Sequence, residues 1–230
     1  KDDHITLEKF ENYWGPKPKI DKLIFKVIPD ASVRLLELQK GTIDGMEFPN
    51  PDDLEKIQRD KNLTLLTQPG LNIGYLAFNL GEDTPGYDPK LSDVRVRKAI
   101  YHAINRQEIV EHLYKGTAVV AKNPLPPTLW GYNDEIVDYE YNPDKAKELL
   151  KEAGYPNGFE TNLWAMPVAR PYMFDPQKIA EAIQSDLAKV GIKAKIVTYD
   201  WGTYLDKTEG GEHAMCLLGW TMDYPDPDNI

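Results

Sequence analysis

Residues 213–230 read HAMCLLGWTMDYPDPDNI. Residues 214–220 form a short apolar run of the length of a buried strand. It changes abruptly into Asp223, Asp226 and Asp228, separated by Pro225 and Pro227. The stretch predicts a buried strand that ends in a stiff acidic loop. Strand ends are where a rigid sheet can hold charged groups against a ligand, so the loop is a candidate reader of a cationic group. Asp and Pro are also the ordinary residues of solvated turns. On its own the stretch favours the plain turn, and the rest of the chain must decide.

Upstream of this loop the chain repeats one pattern. Residues 159–165 and 192–199 read as strands. Between them Asp175-Pro176 opens a long helix with Ile179, Ile183, Leu187 and Val190 on one face and Gly191 past its end. Residues 201–207 predict a further helix before the strand at 214–220, and Asn142-Pro143 opens an earlier one that runs to Ala153. Strand, helix, strand, helix, strand implies an α/β arrangement with parallel neighbours joined by right-handed crossovers. In such sheets ligands sit beyond the carboxyl ends of the strands. That rule links two distant residues. Arg170 follows the strand at 159–165 and Asp223 follows the strand at 214–220, so parallel pairing places a planar cation and a carboxylate at one edge. The pair suits a short zwitterion, whose termini lie at most about 7 Å apart in a dipeptide at about 3.3–3.6 Å per extended residue. Arg170 would hold an α-carboxylate and Asp223 would accept hydrogen bonds from an α-ammonium.

The first half of the chain is less regular. An alternating, strand-like segment runs over 5–14, and strands are expected at 23–28, 43–48, 63–67 and 72–79. Asp30 predicts a helix cap, with Val33, Leu35 and Leu36 turned inward and Gly41 as the stop, and Asn50-Pro51 opens a second helix carrying Leu54 and Ile57. Ser92 begins a clearly amphipathic helix in which Val96, Ala99, Ile100, Ala103 and Ile104 share one stripe. A helix over 107–114 would bury Ile109, Val110 and Leu113. His102 and His112 lie off those stripes and read as surface residues rather than as a metal pair. Residues 119–141, with Pro124, Pro126 and Pro127 and several aromatics, form a long irregular segment that is either functional or an arm packed over the surface.

Bulk properties narrow the classes. The 230 residues carry 37 acidic against 27 basic side chains, a formal charge of −10, which disfavours nucleic acid and anionic membrane surfaces as partners. No segment approaches the roughly 18 apolar residues that span a bilayer. The single Cys216 excludes an internal disulfide and reads as packing. The spacing of Asp223, Asp226 and Asp228 is not a calcium loop, and no Ser-His or Cys-His signature accompanies them, so a metal- or acid–base-dependent hydrolase is a remote alternative. No catalytic residue, metal ligand or cofactor is assigned. The chain opens without Met and stops directly after the acidic loop, and it is expected to be a piece of a longer protein.

Long motifs in order along the chain carry a resemblance: YWGPKPKIDKLIF at Tyr13, PDASVRLLELQKG at Pro29, PGLNIGYLAFN at Pro69, SDVRVRKAIYHAINRQEIV at Ser92, YNPDKAKELLKEAG at Tyr141, LWAMPVARPY at Leu163 and GEHAMCLLGWTMDYPDPDN at Gly211. With these the chain resembles the peptide-binding family (family 5) of extracytoplasmic solute-binding proteins that serve ABC importers, and LWAMPVARPY with GWTMDYPDPDN points to its dipeptide branch. The resemblance implies an α/β fold, one lobe of a two-lobed periplasmic-binding-protein-like (type II) architecture with a mixed sheet flanked by helices. Residues 1–28 would be strand segments linking from the other lobe, and residues 29–230 the larger C-terminal ligand-binding lobe without its return strand. It further implies that Asp223 grips a peptide's α-ammonium, that Arg170 grips the α-carboxylate, and that Trp220 lines the pocket. The implied partners are dipeptides or short peptides and the permease subunits of the importer. The implied location is extracytoplasmic, with membrane contact only through the permease or a lipid anchor. Receptors for nickel, haem, glutathione or oligopeptides on the same fold are the alternative, with Arg170 as the discriminator.

Overall fold

The structure, a computed structural model, describes residues 3–230. Two compact units divide the chain, Lys1–Leu65 and Leu66–Ile230. In the first, β1 (His4–Glu8) and β2 (Lys22–Lys26) pair antiparallel as a two-stranded ribbon. Helix α1 (Ala31–Lys40) starts where the Asp30 carboxylate accepts the Val33 N–H at 2.9 Å, and it stops at Gly41, whose left-handed φ of 74° suits a residue without Cβ. Pro51–Asp53 forms a tight 3₁₀ turn that leads into α2 (Leu54–Arg59), in which Ile57 is buried.

Three expectations fail in this unit. Residues 43–48 and 63–67 form no strand: Gly45 interrupts the first run, Phe48 takes a positive φ of 53°, and β1 and β2 pair only with each other, so neither segment finds a ladder partner. Of the residues expected inward on α1, Leu35 is buried but Val33 and Leu36 are 45% and 49% exposed, because the helix buries one narrow line rather than a full stripe.

The second unit is built on a four-stranded mixed sheet in the order β3-β6-β4-β5, from β3 (Asn72–Phe78), β4 (Glu160–Trp164), β5 (Lys193–Val197) and β6 (Met215–Thr221). β4 pairs parallel with both β5 and β6, while β3 pairs antiparallel with β6 and sets Gly74 opposite Gly219. The parallel strands are joined through α7 (Pro176–Lys189) and α8 (Trp201–Glu209), so the βαβ reading of the last third holds. Helices flank this mixed sheet, as expected. Short polar side chains start them: Asn142 caps α6 (Pro143–Glu152), Asp175 caps α7 and Asp200 caps α8. The amphipathic helix begins just after Ser92 rather than at it. Pro89–Ser92 is a separate turn, α3, and Asp93 caps α4 (Val94–Ala103) by accepting the Arg95 N–H at 2.8 Å. Its bond to the Arg95 side chain also holds the Asp93 carboxyl below the usual carboxylate range. Val96, Ala99, Ile100, Ala103 and Ile104 are all buried.

The helix expected at 107–114 is a four-residue α5 (Arg106–Ile109) followed by a wide π turn, Val110–Tyr114, which leaves Ile109, Val110 and Leu113 half-buried. The core of the unit joins these helices to the sheet through Leu163, Trp164, Leu187, Ile192, Met215 and Leu217. Tyr204 on α8 is fully buried, and its hydroxyl donates to the Leu217 carbonyl at 2.8 Å and lies 3.2 Å from that of Trp164.

Residues 119–141 contain no helix or strand, and the end of this segment, residues 138–140, packs on α4 and α5. Arg106 ion-pairs with Asp138 at 2.7 Å and donates to the Tyr139 carbonyl, Tyr101 donates to Asp138, and the His102 ring meets the Glu140 carbonyl at 2.8 Å. His102 is therefore engaged by backbone.

Candidate functional site

β4 and β6 are adjacent and parallel, with Leu163 opposite Met215 and Trp164 opposite Cys216. The loops carrying Arg170 and Asp223 consequently leave the sheet at one edge, each a few residues beyond its strand.

β6 delivers Trp220, which is half-exposed, and then the acidic loop. The Met222 N–H donates to the Leu71 carbonyl at 3.2 Å, so the turn begins as a continuation of the β3–β6 pairing. Asn229 ties the start of the loop to Trp220. The Asn229 amide oxygen accepts the Asp223 N–H at 3.0 Å and the Trp220 indole N–H at 3.2 Å. Asp226 is committed to the loop itself: its carboxylate accepts the Asp228 N–H at 3.0 Å and caps the 3₁₀ turn Pro227–Asn229. The three carboxylates thus separate. Asp226 is structural, whereas Asp223 is exposed and engages the loop through its backbone.

After β4 the chain passes through buried Ala165 and Met166 to an exposed turn and then to Arg170. Arg170 and Met173 exchange both main-chain hydrogen bonds, each 2.9 Å, which closes a tight hairpin around Pro171 and Tyr172. The Arg170 guanidinium lies over the Trp201 ring, 4.1 Å from its centroid, and Trp201 in turn stacks on Tyr204 at 5.8 Å and 13°. A guanidinium lying on an indole face keeps its edge N–H groups available to an acceptor. Among the described residues neither Arg170 nor Asp223 forms an ion pair.

Tyr172 connects the two loops. Its ring covers Gly219, where a β-carbon would stand 2.2 Å from Tyr172 Cδ2, and its carbonyl approaches Gly74, where a β-carbon would stand 2.8 Å away. The same carbonyl accepts the Tyr114 hydroxyl at 3.1 Å. Burial pushes the phenols of Tyr172 and Tyr114 upward, the latter to about 12, so both are neutral donors at physiological pH. The structure therefore brings Trp220 and Asp223 together through Asn229, and links Arg170 to them through Tyr172 and Gly219.

Sequence reasoning overlooked Tyr172, Trp201 and Asn229. Tyr172 stands two residues after Arg170 in the same motif, and Trp201 follows a helix-capping Asp200, so position along the chain was the available signal. Among the described residues no group of three or more His, Cys, Asp or Glu is placed to hold a metal ion, and no helix is long and apolar enough to cross a membrane.

Over residues 1–230 the chain matches the bacterial extracellular solute-binding proteins, family 5 middle. The chain belongs to this family. The dipeptide-binding protein of Escherichia coli (strain K12) is 50% identical over 230 residues, which are 100% of this chain and 42% of that protein. Heme-binding protein A of Haemophilus influenzae is 46% identical over 229 residues, 100% of this chain and 41% of that protein. The solved ABC transporter-associated periplasmic binding protein DppA from Helicobacter pylori, in complex with peptide STSA, superposes with a TM-score of 0.84 at 43% identity, covering 100% of this chain and 42% of that one. This family 5 chain thus spans less than half the length of the relatives it matches. The family and the fold expected from the motifs are borne out.

Proposed function

We propose that the chain forms part of the substrate-binding component of an ABC importer, which captures short peptides, dipeptides foremost, by their charged termini and passes them to permease subunits. In this reading Asp223 accepts hydrogen bonds from the α-ammonium, Arg170 donates to the α-carboxylate, and Trp220 lines the pocket between them. The observation that carries it is the pair of charged side chains, Arg170 and Asp223, without ion-pair partners among the described residues, on loops that leave two adjacent parallel strands at one edge. Each charge-assisted hydrogen bond contributes about 1.5–3 kcal/mol, so two terminal clamps supply several kcal/mol without any chemical step. The activity is binding rather than catalysis, and no cofactor is invoked. The extracytoplasmic location follows the character of the family, and residues 1–28 are read as strand segments entering from another lobe, with 29–230 as part of the ligand-binding one.

The test is calorimetry on the full-length polypeptide with a neutral dipeptide, its N-acetylated form and its C-terminal amide. Arg170→Ala and Asp223→Ala should each weaken the free dipeptide more than tenfold. Arg170→Ala should leave the amide unaffected, and Asp223→Ala the acetylated form. Equal affinity of the unaltered protein for all three forms would overturn the reading, and hydrolysis of the peptide during titration would favour an enzyme.

A second reading, a haem receptor on the same fold, is favoured by the 46% identity to heme-binding protein A. Haem titration of the same protein separates the two, since haem binding insensitive to Arg170→Ala and Asp223→Ala supports the second.

A further inference from the structure

We propose that Tyr172, seated on Gly219, is the gauge that sets the ligand length accepted between Arg170 and Asp223. This rests on the reading of those two residues as terminal clamps.

Arg170 and Tyr172 belong to one rigid hairpin, closed by the two 2.9 Å main-chain hydrogen bonds between Arg170 and Met173. The hairpin rests on the sheet over Gly219 and Gly74. The Tyr172 ring lies so close to Gly219 that a β-carbon there would meet Cδ2 at 2.2 Å and Cγ at 2.4 Å. The Tyr172 carbonyl rests on Gly74, the residue opposite Gly219, and is held there by the Tyr114 hydroxyl. Glycine inside a strand weakens it and commonly marks the close approach of another group. Here two glycines face each other and one hairpin occupies the space above both.

Gly219 directly precedes Trp220, whose indole shares the Asn229 oxygen with the Asp223 backbone. The span from the Arg170 side to the Asp223 side is therefore fixed by a contact between a ring and a bare backbone rather than by flexible side chains. Each residue added to an extended peptide moves its carboxylate about 3.3–3.6 Å further from its ammonium. A hairpin that cannot retreat then leaves one terminus unmatched.

The test uses the full-length polypeptide and a dialanine, trialanine and tetraalanine series, with dialanine amide as a fourth ligand. The unaltered protein should favour dialanine over tetraalanine. Tyr172→Phe keeps the ring and should keep that ratio, because among the described residues the hydroxyl it loses bonds only the Met166 sulfur, at 3.7 Å. Tyr172→Ala should lower the ratio at least about tenfold, the size expected when one charge-assisted contact no longer depends on length. Thermal melting checks that the variant folds, and Tyr172→Leu carries the same comparison if it does not. A folded Tyr172→Ala or Tyr172→Leu protein with the original ratio overturns the gauge. So does an unaltered protein that distinguishes dialanine from its amide yet binds all three lengths alike. An unaltered protein that binds acid and amide alike overturns instead the role of Arg170 on which the gauge rests.

Discussion

The guanidinium carbon of Arg170 stands 4.1 Å from the centroid of the Trp201 ring. Trp201 begins α8, and its ring stacks on the buried Tyr204, whose hydroxyl reaches the carbonyls of β4 and β6. The cation is thus laid on an aromatic shelf anchored to the two strands that carry the proposed clamps.

Removing the shelf should cost binding in a particular way. A cation–π contact contributes about 0.5–2 kcal/mol, so Trp201→Leu is expected to weaken a dipeptide with a free carboxylate by about threefold to thirtyfold. The affinity for the C-terminal amide should hardly move, and Trp201→Phe should restore most of the loss. Calorimetry with both ligands reads this directly, and equal losses for acid and amide would show that Trp201 does not act through Arg170.

Asn229 orders the other clamp. Its amide oxygen holds both the Asp223 N–H and the Trp220 indole N–H. Asn229→Ala releases both, and with about 1 kcal/mol per neutral hydrogen bond the affinity for peptides with a free ammonium should fall about fivefold or more. N-acetylated peptide should be insensitive. Parallel titrations of the two peptides check this.

Tyr204 tests how α8 is bound to the sheet. Its phenol is fully buried and its pKa is driven far upward by desolvation, so it stays a neutral donor. Tyr204→Phe leaves buried carbonyls of β4 and β6 without that donor and is expected to destabilise the fold by about 1–3 kcal/mol. Urea denaturation followed by far-UV circular dichroism measures the difference.

His213, at the entry to β6, predicts acid sensitivity. It is buried, its Nδ1 has no hydrogen-bond partner among the described residues, and desolvation lowers its pKa from the ordinary 6.5. Between the lowered folded value and 6.5 the unfolded chain binds a proton that the folded chain refuses, so stability falls as the pH drops below 6.5 and levels off below the folded value. His213→Gln should flatten that part of the profile. Melting temperatures across the range from about pH 8 to about pH 5 decide it, and an unchanged slope in the variant would assign the sensitivity elsewhere.

The sequence by itself determined the elements whose causes are local. Asp30, Asn142 and Asp175 cap helices because a short polar side chain reaches an N–H three residues on, and the stripe from Val96 to Ile104 is buried because its spacing leaves one face apolar. The alternation of strand and helix from residue 159 onward is also local, and the general rule that such alternation folds into parallel neighbours made the pairing and the shared edge of Arg170 and Asp223 legible. What depends on a distant partner was not. Residues 43–48 and 63–67 have strand-like composition but no ladder to join, and Leu66 is left 86% exposed. Only the tertiary structure decided that Tyr172 lies on Gly219, that Trp201 carries Arg170, and that Asn229 joins Trp220 to Asp223. The two ring contacts join segments far apart in the chain, and the Asn229 bonds depend on how a short loop folds back on itself. A ring can seat on a strand only where the facing residue has no side chain. That condition appears in the sequence as one glycine among sixteen and becomes specific only when the hairpin is folded onto it.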